Sequence, residues 1–229
     1  MSHTARAAAG EFLGSAGLAA VVVGSGIAAQ RLSPGDVGLQ LFENAFATAL
    51  GLAVLILVFA TVSGSHFNPV VTIVDIGLHR RTWATAAVYL PVQVLGCVAG
   101  AVLANLMFDA PAISWSTTDR SGWPLLLSEV VATAGLVLLI FALVRTGRSH
   151  LAPPAVGAYI GAAYFFTSST SFANPAITLG RMFSDTFAGI APASALPFIA
   201  AQLIGAALGY AVVRALFPVA APEPAVARG

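Results

Sequence analysis

Asn68-Pro69-Val70 and Asn174-Pro175-Ala176 are the residues whose types and spacing could do chemistry in this sequence. Asparagine is a favoured helix N-cap, and proline fits the first helical turn, where its missing N–H would have no intrahelical partner. Each Asn-Pro therefore predicts a helix start. The helix-compatible stretch that follows ends near Ile76 in the first case and near Met182 in the second. About eight residues make roughly 12 Å of helix, less than half of a ~30 Å hydrocarbon layer. At each start the Asn side-chain oxygen caps its own helix, which leaves the amide N–H₂ to donate to a passing hydroxyl or water oxygen. Two helix N-termini of about +0.5 charge each, brought together, repel cations, hydronium included. The chemistry expected is selection among neutral, oxygen-bearing solutes, with no bond made or broken.

A second polar set interrupts apolar runs: Glu11 and Glu129, Gln93 and Gln202. A buried acid suggests an ion path or proton relay by default. The matched positions of these acids predict instead acceptors for backbone N–H groups in the unwound approaches to the half-helices. No catalytic residue, metal or cofactor is expected. Cys97 is the single cysteine, and His3, His66, His79 and His150 have no ligand spacing. A net charge of +1 gives no electrostatic case for nucleic acid.

The elements that must position these residues follow from composition. Hydrophobic residues make up 58% of the 229 and charged ones 8%, against roughly 25% charged in soluble domains. Apolar runs long enough to cross a bilayer fall near 9–29, 41–62, 84–107, 124–144, 152–170 and 196–217. Glu11 inside the first run, answered by Glu129 later, argues against a cleavable signal peptide. All ten basic residues are arginine. With both termini cytoplasmic, Arg6, Arg80, Arg81, Arg145, Arg148, Arg214 and Arg228 lie inside and Arg31, Arg120 and Arg181 outside, as the positive-inside rule asks.

The run is also duplicated. Gly10-Glu11 is answered by Ser128-Glu129, Ser63-Gly64-Ser65-His66-Phe67-Asn68-Pro69 by Ser169-Thr170-Ser171-Phe172-Ala173-Asn174-Pro175, and Gln93 by Gln202. Three crossings per unit put the second unit upside down, an inverted repeat over about 8–110 and 123–218 within one membrane domain, 1–229. The two Asn-Pro ends then meet near the midplane, where irregular backbone is tolerated only if it is buried in protein or lines a wet cavity. Gly-x-x-x-Gly spacings at Gly10/Gly14, Gly96/Gly100, Gly157/Gly161 and Gly205/Gly209 predict close helix packing.

On these motifs the chain resembles the aquaporin and glycerol-facilitator (major intrinsic protein) family over roughly residues 8–217, with Val70 in place of the usual alanine. The resemblance implies an all-α integral membrane protein of six transmembrane helices plus two re-entrant half-helices, one pore per subunit and a homotetramer. It also implies a second constriction, which carries over by offset from the asparagines to Thr48, Ala162, Ser171 and Ile177. Water-selective relatives place aromatic and histidine side chains at the first two positions and arginine at the fourth. Glycerol facilitators keep the arginine and follow it with aspartate, where this chain has Thr178.

Small residues and a missing arginine imply a wide, arginine-free filter for glycerol, urea or metalloid hydroxides such as arsenite, similar to a bacterial branch associated with arsenic resistance. A bacterial inner membrane is expected, with membrane lipid as surroundings. Arg181, four residues after Ile177, is expected to pair with Asp185 or else to bring a displaced charge to the pore mouth. His66 is expected to pack the first loop or to line the cytoplasmic mouth. The competing readings are a water-selective aquaporin, a proton-coupled transporter and a membrane enzyme. Flux that saturates and follows a proton gradient would mark the transporter.

Overall fold

The computed structural model describes residues 1–218, so Arg228 lies outside the described residues. Eight α-helices occur among them: α1 (His3–Leu32), α2 (Val37–Phe59), α3 (Pro69–Gly77), α4 (Trp83–Met107), α5 (Trp123–Arg145), α6 (Ala152–Phe166), α7 (Pro175–Gly180) and α8 (Pro192–Leu216). No strand occurs among the described residues. The order long, long, short, long runs twice.

Five of the helices are long and apolar enough to cross a membrane. The sixth crossing, α6, has 15 residues and ends at Phe166 rather than near 170. At about 1.5 Å per residue it covers roughly 22 Å, and a 3₁₀ turn at Ser149–Leu151 extends it at one end. It stops early because Thr167 turns extended, with φ −114° and ψ 142°, and the chain beyond is drawn into the approach to α7.

Packing follows the glycines. Helix α1 lies along α4, α5 along α8, and α2 against α6. A Cβ on Gly100 would collide with the Ala16 carbonyl of α1, and one on Gly96 with the Phe12 carbonyl. Gly205 and Gly209 stand in the same relation to Val130 and Ala134 of α5, and Gly157 to Ala49 of α2. Removing the side chain lets backbones touch, which supplies the dispersion contact that holds helices together where lipid is as apolar as they are. The short helices fill the interior: α3 packs on α4 and α8, and α7 on α4, α8 and α1. Large apolar side chains such as Phe42, Phe46, Leu57, Leu203 and Leu208 point outward, as a lipid-facing surface requires.

Candidate functional site

Asn68 and Asn174 cap α3 and α7 from nearly the same extended backbone, φ −153° and −157°. Asn68 Oδ1 accepts from Val70 N at 3.0 Å, and Asn174 Oδ1 from Ala176 N at 2.9 Å and Ile177 N at 3.3 Å. Pro69 and Pro175 occupy the first turns and are buried with Val70 and Ala176 behind the caps. The two caps meet. Asn68 Nδ2 donates to the Ala173 carbonyl and Asn174 Nδ2 to the Phe67 carbonyl, each at 2.8 Å. One N–H of each amide is thus spent on locking one half to the other, and only the second is left to face a solute, a correction to the expectation that the whole N–H₂ is free.

The approaches to the caps are strained and held. Ser65 and Phe67 before α3 have φ 53° and 48°, and Ser171 and Ala173 before α7 have φ 51° and 48°, a region that costs L-residues of order 1–3 kcal/mol each. Carboxylates at the same place in each half keep them there. Glu11 accepts from Ser63 Oγ and His66 N on one oxygen and from Phe67 N and Gln93 Nε2 on the other, at 2.7–2.9 Å. Glu129 accepts from Ser169 Oγ, Phe172 N, Ala173 N and Gln202 Nε2 at 2.6–2.9 Å. Gln93 and Gln202 reach on to Thr72 and Thr178, whose hydroxyls donate back to the Asn68 and Asn174 carbonyls.

A narrow cavity of about 60 Å³ runs past both caps. Asn68, Asn174, Thr48, Ser171, Ile177, His66 and Arg181 are on its wall. Ala162 is not. It is exposed on the outer face of α6, while Val156, Ile160 and Tyr164, one turn apart, face the cavity. The offset that pointed to Ala162 assumed a loop of the usual length. The helical period of the apolar residues, which repeats every 3.6 positions, points to Tyr164 instead. The Tyr164 hydroxyl lies 3.2 Å from Thr48 Oγ1, so this wall carries a bulky aromatic where a methyl group was expected.

For Arg181 the first of the two expected placements fails. It does not pair with Asp185, which accepts from Thr117 N at 2.8 Å and Thr117 Oγ1 at 3.0 Å. Its Nε donates to the Ala188 carbonyl, and its guanidinium carbon stacks 3.4 Å from the centre of the Phe172 ring. Ile177 leaves its own position without an arginine, yet the next turn of the chain returns a guanidinium to the same wall. On the α3 side, His66 Nδ1 lies 3.0 Å from Thr72 Oγ1 and Nε2 3.5 Å from Asp75 Oδ2. Asp75 is shared with Arg80 at 2.9 Å and Arg81 at 3.6 Å. His66 therefore both packs the loop and lines the cavity.

The family model described as major intrinsic protein matches residues 1–173. The chain belongs to the major intrinsic protein family. It is 46% identical to the aquaglyceroporin AqpS of Rhizobium meliloti over 212 residues, covering 93% of this chain and 90% of the relative. It is 31% identical to a probable aquaporin TIP1-2 of Oryza sativa subsp. japonica over 192 residues, 79% of this chain and 76% of that one. The X-ray structure of the aquaglyceroporin from Plasmodium falciparum superposes with a TM-score of 0.72 at 20% identity, over 93% of this chain and 96% of that one, which establishes the shared fold. Major intrinsic proteins are membrane channels for small neutral solutes and not enzymes. In this member the cavity wall offers hydrogen-bond donors and acceptors, and the one cysteine is fully buried and is not part of that wall.

Proposed function

We propose that this major intrinsic protein is a passive pore for solutes of glycerol size and kind, urea and metalloid hydroxides included, conducting along the cavity between α3 and α7. The head-on meeting of two Asn-Pro caps, each donating an amide N–H across to the other half, is the observation that carries it. A neutral hydroxyl exchanges its water partner for the remaining Asn N–H as it passes. A cation meets two helix N-termini and no carboxylate on the cavity wall.

In this reading Asn68, Pro69, Val70, Asn174, Pro175 and Ala176 form the central barrier. Thr48, Ser171 and Ile177 narrow the path on the α7 side, and Glu11, Glu129, Gln93 and Gln202 hold the loops. Residues 8–110 and 123–218 are the inverted halves of one domain, supported by the matched hydrogen bonds of the two acids. That the Rhizobium meliloti relative is an aquaglyceroporin supports the solute class. The arginine distribution supports cytoplasmic termini in a bacterial inner membrane, and the outward apolar faces of α2 and α8 suit lipid and a homotetramer.

Stopped-flow light scattering on proteoliposomes tests this. Glycerol and urea should enter faster than into empty vesicles, without saturation and without response to a proton gradient. Vesicles no leakier than bare lipid to any neutral solute refute it, and uptake driven by the gradient makes the protein a transporter.

A further inference from the structure

We propose that Arg145, Arg148 and Arg214, gathered where α5 and α8 end, form a binding site for the phosphodiester headgroup of an anionic phospholipid in the adjoining leaflet. The inference stands apart from the pore reading and asks only that the chain lie in a membrane. A run of contacts makes the three side chains one patch. Arg145 Nη1 donates to the Phe217 carbonyl, just past the end of α8. Arg214 lies less than one turn before Phe217, and its Nη1 donates to the Tyr210 hydroxyl at 3.3 Å. That hydroxyl donates in turn to the Gly77 carbonyl at the end of α3, at 3.2 Å. Arg148 leaves the end of α5 beside Arg145, and both Arg148 and Arg214 are exposed.

Positive charge is left over at this end. Each guanidinium spends a donor on a carbonyl or a hydroxyl, Arg148 Nε on Thr146 Oγ1 at 3.0 Å. No ion pair among the described residues reaches any of the three. Asp75, the carboxylate near the end of α3, is already shared by Arg80 and Arg81 at 2.9 and 3.6 Å. A helix dipole answers part of a positive charge in its last turn, which serves Arg145 and Arg214, but Arg148 stands beyond the last residue of α5. Three planar forks with N–H groups to spare match the oxygens of a phosphodiester.

The surface next to the arginines favours a lipid over a free anion. Ala211, Ala207, Ile204 and Leu203 precede Arg214 by steps of three and four, so they lie on its side of α8. All four are exposed and apolar. They make a track of about 16 Å running from Arg214 toward the hydrocarbon, and the two alanines nearest the guanidinium keep it shallow enough for an acyl chain. A molecule with an anionic head and an apolar tail fits both parts of this surface. Inorganic phosphate fits the first part alone.

Native mass spectrometry of the full-length chain in detergent, titrated with dioleoyl phosphatidylglycerol or dioleoyl phosphatidylcholine, tests this. Wild type should hold the anionic lipid at least about tenfold more tightly, with a preference that shrinks as salt rises. Arg145→Gln, Arg148→Gln and Arg214→Gln should each cost about fivefold, the worth of one basic residue at an anionic surface. The triple variant should bind both lipids alike, while its helical content and its elution on size exclusion match wild type. Arg6→Gln removes the same charge from exposed α1 sequence and should leave the preference intact. In thermal melting, phosphatidylglycerol should raise the wild-type midpoint, and millimolar inorganic phosphate should not. Equal affinity of wild type for the two lipids, a triple variant as selective as wild type, or an Arg6→Gln loss as large as that of Arg145→Gln overturns the inference. So does a rise with inorganic phosphate that equals the rise with lipid. Solute flux enters none of these measurements, so the pore reading survives their failure.

Discussion

Removing the Glu129 carboxylate should collapse the α7 side of the pore. In Glu129→Ala four donors lose their acceptor: Ser169 Oγ at 2.6 Å, Phe172 N and Ala173 N at 2.9 Å, and Gln202 Nε2 at 2.7 Å. Two of these can adjust, since the serine hydroxyl rotates and Gln202 keeps its bond to Thr178 Oγ1 at 2.9 Å. The backbone amides of Phe172 and Ala173 cannot, and each unsatisfied buried donor costs about 1–3 kcal/mol, so about 2–6 kcal/mol falls on the loop. The strain at Thr170, Ser171 and Ala173, with φ 63°, 51° and 48°, acts in the same direction, because it is relieved when the loop relaxes.

Against a relaxed loop of equal starting energy, a penalty of about 2 kcal/mol lowers the ratio of pore-competent to relaxed loop roughly thirtyfold and the pore-competent population about fifteenfold. The whole protein, stable by about 5–15 kcal/mol, should still assemble. Glycerol swelling of proteoliposomes should therefore drop by at least about tenfold while the variant still purifies as a folded helical protein. Glu129→Gln, which keeps one acceptor oxygen, should fall between. Glu11→Ala, which strips the matching four donors on the α3 side, should lose a similar amount. Glycerol flux above half the wild-type value in Glu129→Ala, or a large loss confined to one of the two acids, refutes the account of these carboxylates as loop clamps.

Gly100→Val places a branched side chain where a Cβ already collides with the Ala16 carbonyl; overpacking of about 1–3 kcal/mol should lower the detergent melting temperature by roughly 5–10 °C. Gly38→Ala, in an exposed turn of α2, should leave melting unchanged or slightly higher, and equal losses in the two would show that the α1–α4 contact is not the cause. Thiol reagents should leave wild-type flux untouched, because Cys97 is fully buried with its Sγ turned to the Ser15 carbonyl at 3.6 Å; inhibition by a mercurial would place that thiol on the solute path.

The fold was largely legible because a membrane chain writes its elements into local composition. Apolar runs of about 20 residues declare crossings, and only the end of α6 escapes this, because hydroxyl side chains such as that of Thr167, which donates to the Ala163 carbonyl, can sit on a helix as well as leave it. The Asn-Pro starts were legible through capping chemistry, which depends on the residue and its immediate successors. The clamps were legible because duplication puts Glu11 and Glu129, and Gln93 and Gln202, at corresponding places. The cavity wall was less so. An offset from the asparagines points to Ala162, but the direction of a side chain depends on helix phase, and the phase of Val156, Ile160 and Tyr164 turns Tyr164 inward.

Local sequence, then, determined where this protein crosses the membrane, where its two short helices begin and which acids serve them. Covalent neighbours and periodicity suffice for those features. Tertiary structure alone decided which partners those residues take across the chain. Asn68 reaches the Ala173 carbonyl 105 positions away, and Arg181 lies against Phe172 while Asp185, four residues from it, bonds Thr117 instead. Sequence spacing offers Arg181 a carboxylate within reach. Only the packing of α7 against its loop sends the guanidinium the other way, onto the cavity wall.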